Sequence, residues 1–464
     1  MAPRIAAVLG ASTALAACGG GAEATVPAGA ATKSVATSAR IAQSAVARSP
    51  VPLRWRATQR LSVGPAVNGG TPAPFPTSPS VGVDARGGAV VTWSAPRRRG
   101  RRPVDVLLAV ARPGARFGPV QRIAEGDNPK LAVASDGDVM LAYTRRDGRV
   151  TIARGTVDAG LKKHRTLGLP QGARVGRFGR TRYSASTGGV ALAGDGTAIV
   201  VTVTPTRRAS VAELHVLPSS GAPAAPRRLP ALEVDDCALI TGPDGSVILR
   251  AGDRLFTRAP EGDFDDGARV PVPIDHVAVA PDGHVGVVGL EQLKFSETGG
   301  AFGRVLLSER PAGTSAFSAQ RRAPIPRDAF APALAYDGAS RPVVTWIRDR
   351  VTDPFEETEA GEEAFGAAEA WAGGAALPLD DTAADVLTAG LPGGGVLIVT
   401  DGARWSSAVV EQGAVRRVRG PIGRPLPSID DRGAGALAAG PRRAVLAWEG
   451  DPDHGVRVAL ADLT

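Results

Sequence analysis

The stretch Val81–Trp93, VGVDARGGAVVTW, limits the possible folds of this chain more than any other feature. It consists of two short apolar runs joined by a polar turn, and copies of it recur to the C-terminus. They are Leu131–Tyr143, Val190–Thr202, Cys237–Leu249, His276–Val288, Ala333–Trp346, Leu387–Val399 and Gly435–Trp448. The position of Gly87 recurs at 137, 196, 245, 283, 340, 394 and 442. A mean step of roughly 51 residues falls in the range of propeller and solenoid arrays. Asp-Gly at 136–137, 195–196, 244–245 and 282–283 supplies the positive-φ residue that a tight β-connection requires. The flanks are rich in Val, Ile and Leu, which suit a pleated, buried surface. No long run outside the N-terminus carries apolar residues at helical spacing.

A second hairpin follows the first in each unit. In the first copy it is Val104–Arg112, a Pro-Gly turn, then Phe117–Ala124; the second copy offers Val150–Gly155 and Leu161–Leu167, and the fifth Val305–Arg310 and Ala316–Arg321. Four strands per unit, repeated around an axis, is the β-propeller plan. The chain is therefore expected to be all-β, an eight-bladed propeller of four-stranded blades; seven blades, with the short fifth unit merged into a neighbour, is the alternative. The last unit lacks a fourth strand, whereas Leu53–Val63 stands alone before the first. Its WRATQRL resembles the fourth-strand segments RFGPVQRI (116–123) and AFSAQRR (316–322). The N-terminal strand is expected to complete the last blade and remove an exposed edge. On these features residues 53–464 resemble a bacterial extracytoplasmic β-propeller of the WD40-like or sialidase-like type. The resemblance implies the fold and no functional residue, because neither an S-x-D-x-G-x-T-W box nor a Gly-His to Trp-Asp pairing is present. Trp93, Trp346 and Trp448, with Tyr143, end the first hairpins and are read as packing between blades rather than as a platform for sugar rings.

The N-terminus reads separately. Arg4 precedes a 12-residue stretch of small and apolar residues, Ala6–Ala17, too short for the roughly 20 residues that cross a bilayer. It ends in Leu15-Ala16-Ala17-Cys18, which resembles the lipobox of bacterial lipoproteins. That resemblance implies a signal segment over 1–17, lipid on Cys18, a membrane anchor and an extracytoplasmic location. Residues 18–52 begin Gly/Ala/Ser/Thr-rich and read as a flexible tether. The second cysteine, Cys237, sits in an apolar strand and reads as a small buried hydrophobe.

The formal net charge is +8 and the basic residues are nearly all Arg. Arg97, Arg98, Arg99, Arg101 and Arg102 fall in an expected loop between hairpins of the first unit. Arg174, Arg177, Arg180 and Arg182 fall between the second and third units, and Arg207 and Arg208 in a loop of the third. Strand alternation puts these segments on one face, with the acidic stretch 349–363 across the ring. They are the candidate anion-binding residues. An exposed ion pair contributes about 0–1 kcal/mol and micromolar affinity needs about 8 kcal/mol. A polyanion touching many Arg thus fits better than a small molecule.

Catalytic signatures are lacking. The five His form neither H-E-x-x-H nor a pair at metal spacing, and there is no P-loop. His276 and His284 read as a strand and a turn residue, and Asp263, Asp265 and Asp266 as a solvated turn without the ligand pattern of a calcium loop. Neither metal nor cofactor is expected. The leading functional expectation is a monomeric, lipid-anchored binding module for an anionic polysaccharide or protein, not nucleic acid. A propeller-type glycan hydrolase or lyase and a structural envelope scaffold are the alternatives.

Overall fold

A computed structural model describes residues 53–61, 77–98, 101–170, 176–178, 181–183, 185–205, 210–220, 222–229, 237–295, 301–324, 328–349, 366–402, 405–418, 435–449 and 456–463. Residues 1–17, Cys18 and the whole expected tether to residue 52 lie outside this set. Every secondary-structure element among the described residues is a β-strand.

The hairpin turns behave as their residue types dictate. Gly87, Gly137, Gly196, Gly245, Gly283 and Gly394 have φ between 76° and 125°. In the sixth copy Ser340 takes the role with φ 59°. The preceding Asp caps the turn from its side chain: Asp195 Oδ1 accepts the Thr197 N–H at 2.8 Å, Asp244 Oδ1 that of Ser246 at 3.0 Å, and Asp136 Oδ1 that of Asp138 at 3.0 Å. Asp supplies the acceptor and Gly the backbone freedom, so the pair closes a hairpin locally. Only the eighth copy departs, its turn closing from the Gly440 N–H to the Arg443 oxygen at 2.8 Å.

Each copy extends into an antiparallel run of four strands, giving an all-β propeller arrangement of four-stranded blades. The third copy (Ser186–Leu192, Ala198–Pro205, Ser210–Leu217, Arg227–Arg228) and the fourth (Cys237–Thr241, Val247–Ala251, Arg254–Arg258, Ala268–Arg269) stand as separate sheets. Others run together. Gln121–Val133 pairs through residues 121–125 with Arg101–Ala111 and through 126–133 with Asp138–Arg145. It is the outermost strand of one copy and the innermost of the next. Leu377–Leu391 does the same between the sixth and seventh copies. Counted by hydrogen bonding, the sheets therefore hold 11, 7, 5, 4, 4 and 2 strands, and neither eight nor seven separate sheets are seen.

Second strands are buried on both faces. Ala89–Ala95 is buried without a break, and Ala198–Thr204 likewise; a strand covered on both sides shows no alternation. The cover comes from neighbouring copies. Val90 and Leu108 of the first copy pack with Val139 and Val157 of the second. Met140 and Ile152 meet Leu192 and Val200. Val201 and Leu214 meet Val247 and Leu249. Ile248 and Leu255 meet Val285 and Val287. Val305 and Leu307 meet Val344 and Trp346, Ile347 meets Val396 and Ile398, and Leu397 and Val399 meet Leu446 and Trp448. The succession returns to its start where Val445 and Val458 pack with Val91 and Trp93. The aromatics Trp93, Trp346, Trp448 and Tyr143 are 0%, 0%, 2% and 3% exposed, inside these seams.

The N-terminal strand joins the last copy. Leu53–Trp55 pairs with Val456–Leu463 (Leu53↔Leu463, Trp55↔Ala461), and Gln59–Leu61 continues along it (Gln59↔Val458, Leu61↔Val456). It also grips both neighbours. Trp55 Nε1 donates to Ser407 Oγ of the seventh copy at 2.9 Å. The Gln59 side chain donates to the Phe117 oxygen (2.8 Å) and accepts the Phe117 N–H (3.1 Å) of the first copy. Arg56 pairs with Asp462 and donates to the Gly114 oxygen at 3.0 Å.

Buried and half-buried arginines tie copies together on the turn side. Arg443, 1% exposed, donates to the Arg112 and Ala115 oxygens, both at 3.1 Å, and to Asp462 Oδ1 at 3.2 Å. Arg258 reaches from the fourth copy to Asp195 Oδ2 of the third at 2.7 Å. Arg154 reaches from the second to the Gly196 oxygen of the third at 2.7 Å. Gly194 and Gly245 touch through backbone, N–H to oxygen 2.9 Å, and a Cβ on Gly245 would come within 2.7 Å of the Gly194 Cα.

Truncating Trp55 to Ala is expected to cost about 3–5 kcal/mol, read by urea unfolding. A variant lacking residues 53–61 should aggregate, because the Val456–Leu463 edge is then open. A soluble deletion variant that melts in one cooperative transition would contradict this role.

Candidate functional site

Strand alternation puts the first-hairpin turns on one side of the arrangement, and the hairpins between second and third strands on the other with the connections between copies. On that second side Ala89–Arg98 and Arg101–Ala111 stay paired to the tip, where Arg98 faces Arg101 in register. Arg97, Arg98, Arg101 and Arg102 are thus carried on strand ends and not in an open loop, which corrects the sequence reading. The ladder extends because Val104, Val106 and Leu108 continue the pairing begun at Ala111. Arg177 and Arg182 also lie in a hairpin, Gly176–Phe178 with Thr181–Tyr183, and face each other in register. Arg99, Arg174, Arg180, Arg207 and Arg208 lie outside the described residues, as does the acidic stretch beyond Asp349.

The innermost strands are kinked where they begin on this side. Register shifts occur between Thr77 and Ser80, Asp127 and Lys130, Thr187 and Gly189, Phe330 and Ala333, and Ala383 and Asp385. Asn128 and Ala331 occupy equivalent positions, have φ of 50° and 47°, and each precedes a proline. Bulges of this kind re-aim side chains. The carboxylates near them are used locally. Asp127 Oδ1 accepts from Ser94 Oγ at 2.9 Å and from the Asn128 N–H at 2.8 Å. Asp275 Oδ2 accepts the Leu290 N–H at 2.7 Å, and Asp385 Oδ1 the Val386 N–H at 2.7 Å. Burial raises the Asp385 carboxyl above its ordinary pKa despite that bond. Asp401, its register partner, is 6% exposed. Nothing in the spacing of Asp385 and Asp401 marks them in the sequence; the bulge sets their register.

Three of the histidines have local partners. His215, 4% exposed, has Nε2 at 3.1 Å from Thr202 Oγ1; burial, with the charge of Arg165, pushes it down to about 4. His276 begins a strand, and its Nδ1 accepts the Leu334 N–H of the next copy at 3.4 Å; burial pushes it down to about 4. His284 sits in the turn beside Asp282. In the GDFDDG stretch Asp265 Oδ1 accepts the Thr257 and Gly267 N–H groups at 2.9 and 3.0 Å, which closes a turn. Among the described residues no group of three or more His, Cys, Asp or Glu is placed to hold a metal. Cys237 is 4% exposed within the seam between the third and fourth copies.

No protein-family model matches the sequence, and no curated protein sequence matches it. Solved structures resemble it in shape. A lectin from Burkholderia pseudomallei aligns at TM-score 0.45 and 12% identity over 74% of this chain and 98% of its own. The β-propeller domain of the Trilobed protease from Pyrococcus furiosus, described as having an open velcro topology, aligns at 0.36 and 8% over 84% and 97%. An α-L-arabinanase from Penicillium chrysogenum, complexed with arabinobiose, aligns at 0.36 and 14% over 84% and 93%.

The two histidines give the acid limb of stability a definite sign. Folded pKa values near 4, against about 6.5 unfolded, mean that the unfolded chain binds the extra protons. Their contribution is complete above about pH 6.5 and is lost as pH falls toward 4. At pH 4.5 each should remove about 2–3 kcal/mol. His215→Gln and His276→Gln should each flatten the fall in urea-unfolding free energy between pH 7 and 4.5. An unchanged slope in both variants would refute the assignment.

Proposed function

We propose that this chain is a lipid-anchored, extracytoplasmic β-propeller of eight blades that binds an anionic partner without catalysis. Support for the count is the succession of apolar seams, which passes through all eight sequence copies and returns to the first. Seven blades would merge the short fifth copy into a neighbour; it keeps its own run of four strands, separate from the sheet of the fourth copy and joined to the sixth at the single pair Gly303↔Ala329. Support for the anchor is the Leu15-Ala16-Ala17-Cys18 tetrapeptide at the end of an apolar segment.

The observation that carries the binding reading is the paired hairpin that ends at Arg98 and Arg101. It carries Arg97, Arg98, Arg101 and Arg102 on the ends of two paired strands. Guanidinium groups present several donors in a fixed fork that matches carboxylate and phosphate oxygens. Even if every one made an ion pair of about 0–1 kcal/mol, these arginines would fall short of the roughly 8 kcal/mol behind micromolar binding. The partner is therefore a polymer that engages further cations.

The full chain should bind immobilised polygalacturonate or polyphosphate, with affinity falling steeply between 50 and 300 mM salt. The combined variant Arg97→Gln, Arg98→Gln, Arg101→Gln, Arg102→Gln should bind at least tenfold more weakly. Absent or salt-insensitive capture of the unmodified chain would remove the anionic partner. Cys18→Ser, expressed in a bacterium that makes lipoproteins, should no longer incorporate labelled palmitate and should leave the membrane fraction. Continued labelling would remove the anchor.

A further inference from the structure

The outer rim carries a second basic surface that sequence spacing does not reveal. Outermost strands are short and charged: Arg227–Arg228, Ala268–Arg269 and Arg321–Arg322 have two residues each, and Gly160–Thr166 carries Lys162 and Arg165. Exposed edge arginines deter pairing between sheets, which accounts for charge on the edges in general. It does not account for how that charge is compensated around the ring.

Compensation is uneven. On the first copy Arg122 pairs with Asp105 at 2.9 Å. On the fourth Arg269 pairs with Asp253 at 2.9 Å. On the fifth Arg321 pairs with Glu309, and Arg322 has Glu291 at 3.8 Å. Between these lie Lys162, Arg165, Arg227, Arg228 and Arg254, all exposed. Among the described residues none of the five has a carboxylate within ion-pair distance.

Four of them, Arg165, Arg228, Arg227 and Arg254, follow one another across three copies. Arg165 of the second copy is near enough to His215 of the third for its charge to act on the imidazole. On the same strand, Glu213 faces Arg228 and Leu214 faces Arg227 in register. The Arg227 guanidinium lies 5.9 Å from the centre of the Phe256 ring of the fourth copy, and Arg254 lies 5.8 Å from the same ring. Arg254 is held there by its bonds to the Asp266 and Gly267 oxygens at 3.1 and 2.7 Å. The acids along the run are Glu213, whose side chain is only 15% exposed, and, beside Arg254, Asp266 and the Asp253 that Arg269 already holds.

We propose that this stripe, over the second to fourth copies, is a docking track for a linear anionic polysaccharide. The proposal rests on the anionic-partner reading above and names a surface for it beyond the arginine hairpin. Shape and chemistry select the occupant. The outside of a ring is convex, so a flat lipid surface meets it along one line while a flexible polymer follows three copies. Phe256 is 7% exposed and covered by two guanidinium groups, which leaves no aromatic face for nucleobase stacking. Repeated carboxylates or phosphates on a chain can each take one guanidinium fork.

The test uses the full chain, polygalacturonate as probe, and three variants: Arg165→Gln with Arg227→Gln and Arg228→Gln; the hairpin set of 97, 98, 101 and 102; and Arg122→Gln with Arg322→Gln as a paired-rim control. The stripe variant is expected to bind at least tenfold more weakly, with the slope of log affinity against log salt reduced by about two to three and the melting temperature within a degree of the unmodified chain. The control should bind as the unmodified chain does. If only the hairpin set loses binding, the stripe is overturned and the anionic-partner reading stands. If the unmodified chain binds no polyanion, both fall. Equal loss in the paired-rim control would make the effect one of total charge and overturn the track. Stronger binding to phosphatidylglycerol vesicles or single-stranded DNA than to polygalacturonate at matched charge would overturn the polysaccharide as occupant.

Discussion

A β-sheet whose two faces are both apolar cannot stop at an end, and the whole architecture follows from that. The second strands here are buried along their length on both faces, so each sheet needs a neighbour on either side. A linear stack would leave its first and last sheets with one apolar face in water. At about 25 cal/mol per Å² of apolar surface, exposing a face of Val, Leu and Trp would offset much of the few kcal/mol by which domains are stable. Returning to the start removes both ends at once. The seam that joins Val445 and Val458 to Val91 and Trp93 is therefore a condition for the other seams and not an addition to them.

The closing strand answers a related difficulty, the open hydrogen-bonding edge. Val456–Leu463 receives its last partner from a segment some 400 residues distant in sequence, and the side chains of that segment are spent on the copies to either side. Trp55 points to Ser407 and Gln59 to Phe117, so strand pairing and seam packing close together. Arg443, buried beside Asp462 and two carbonyl oxygens of the first copy, extends the same logic to the turn side. A charge so enclosed is tolerated because its donors meet acceptors on both sheets, and breaking such a pairing is costly.

Function in such a molecule falls to the parts the seams do not use. Trp93, Trp346 and Trp448 are consumed by packing, the bulge carboxylates by backbone N–H groups, and His215 and His276 by burial. What remains is basic sequence of two kinds: the arginines on the paired strand ends at 97, 98, 101 and 102, and a rim where acids compensate the arginines of some copies and spare others. Under the proposed anionic-partner reading, both would make many weak contacts with an extended anion rather than a few strong ones with a small molecule.

Sequence alone determined the local units. Asp-Gly turns, the paired apolar runs of Val81–Trp93 and its copies, and the fourth-strand likeness of WRATQRL each depend on a few neighbouring residues, because turn chemistry and strand propensity act over that range. Tertiary structure decided the rest. That Gln121–Val133 serves two sheets, that Arg97, Arg98, Arg101 and Arg102 lie on paired strands, that Asp385 faces Asp401, and that Glu309 covers Arg321 while Arg227 shares Phe256 with Arg254 all depend on which strands become neighbours and in what register. Those contacts join residues tens to hundreds of positions apart, where spacing along the chain carries no information and only the closing of the ring brings them together.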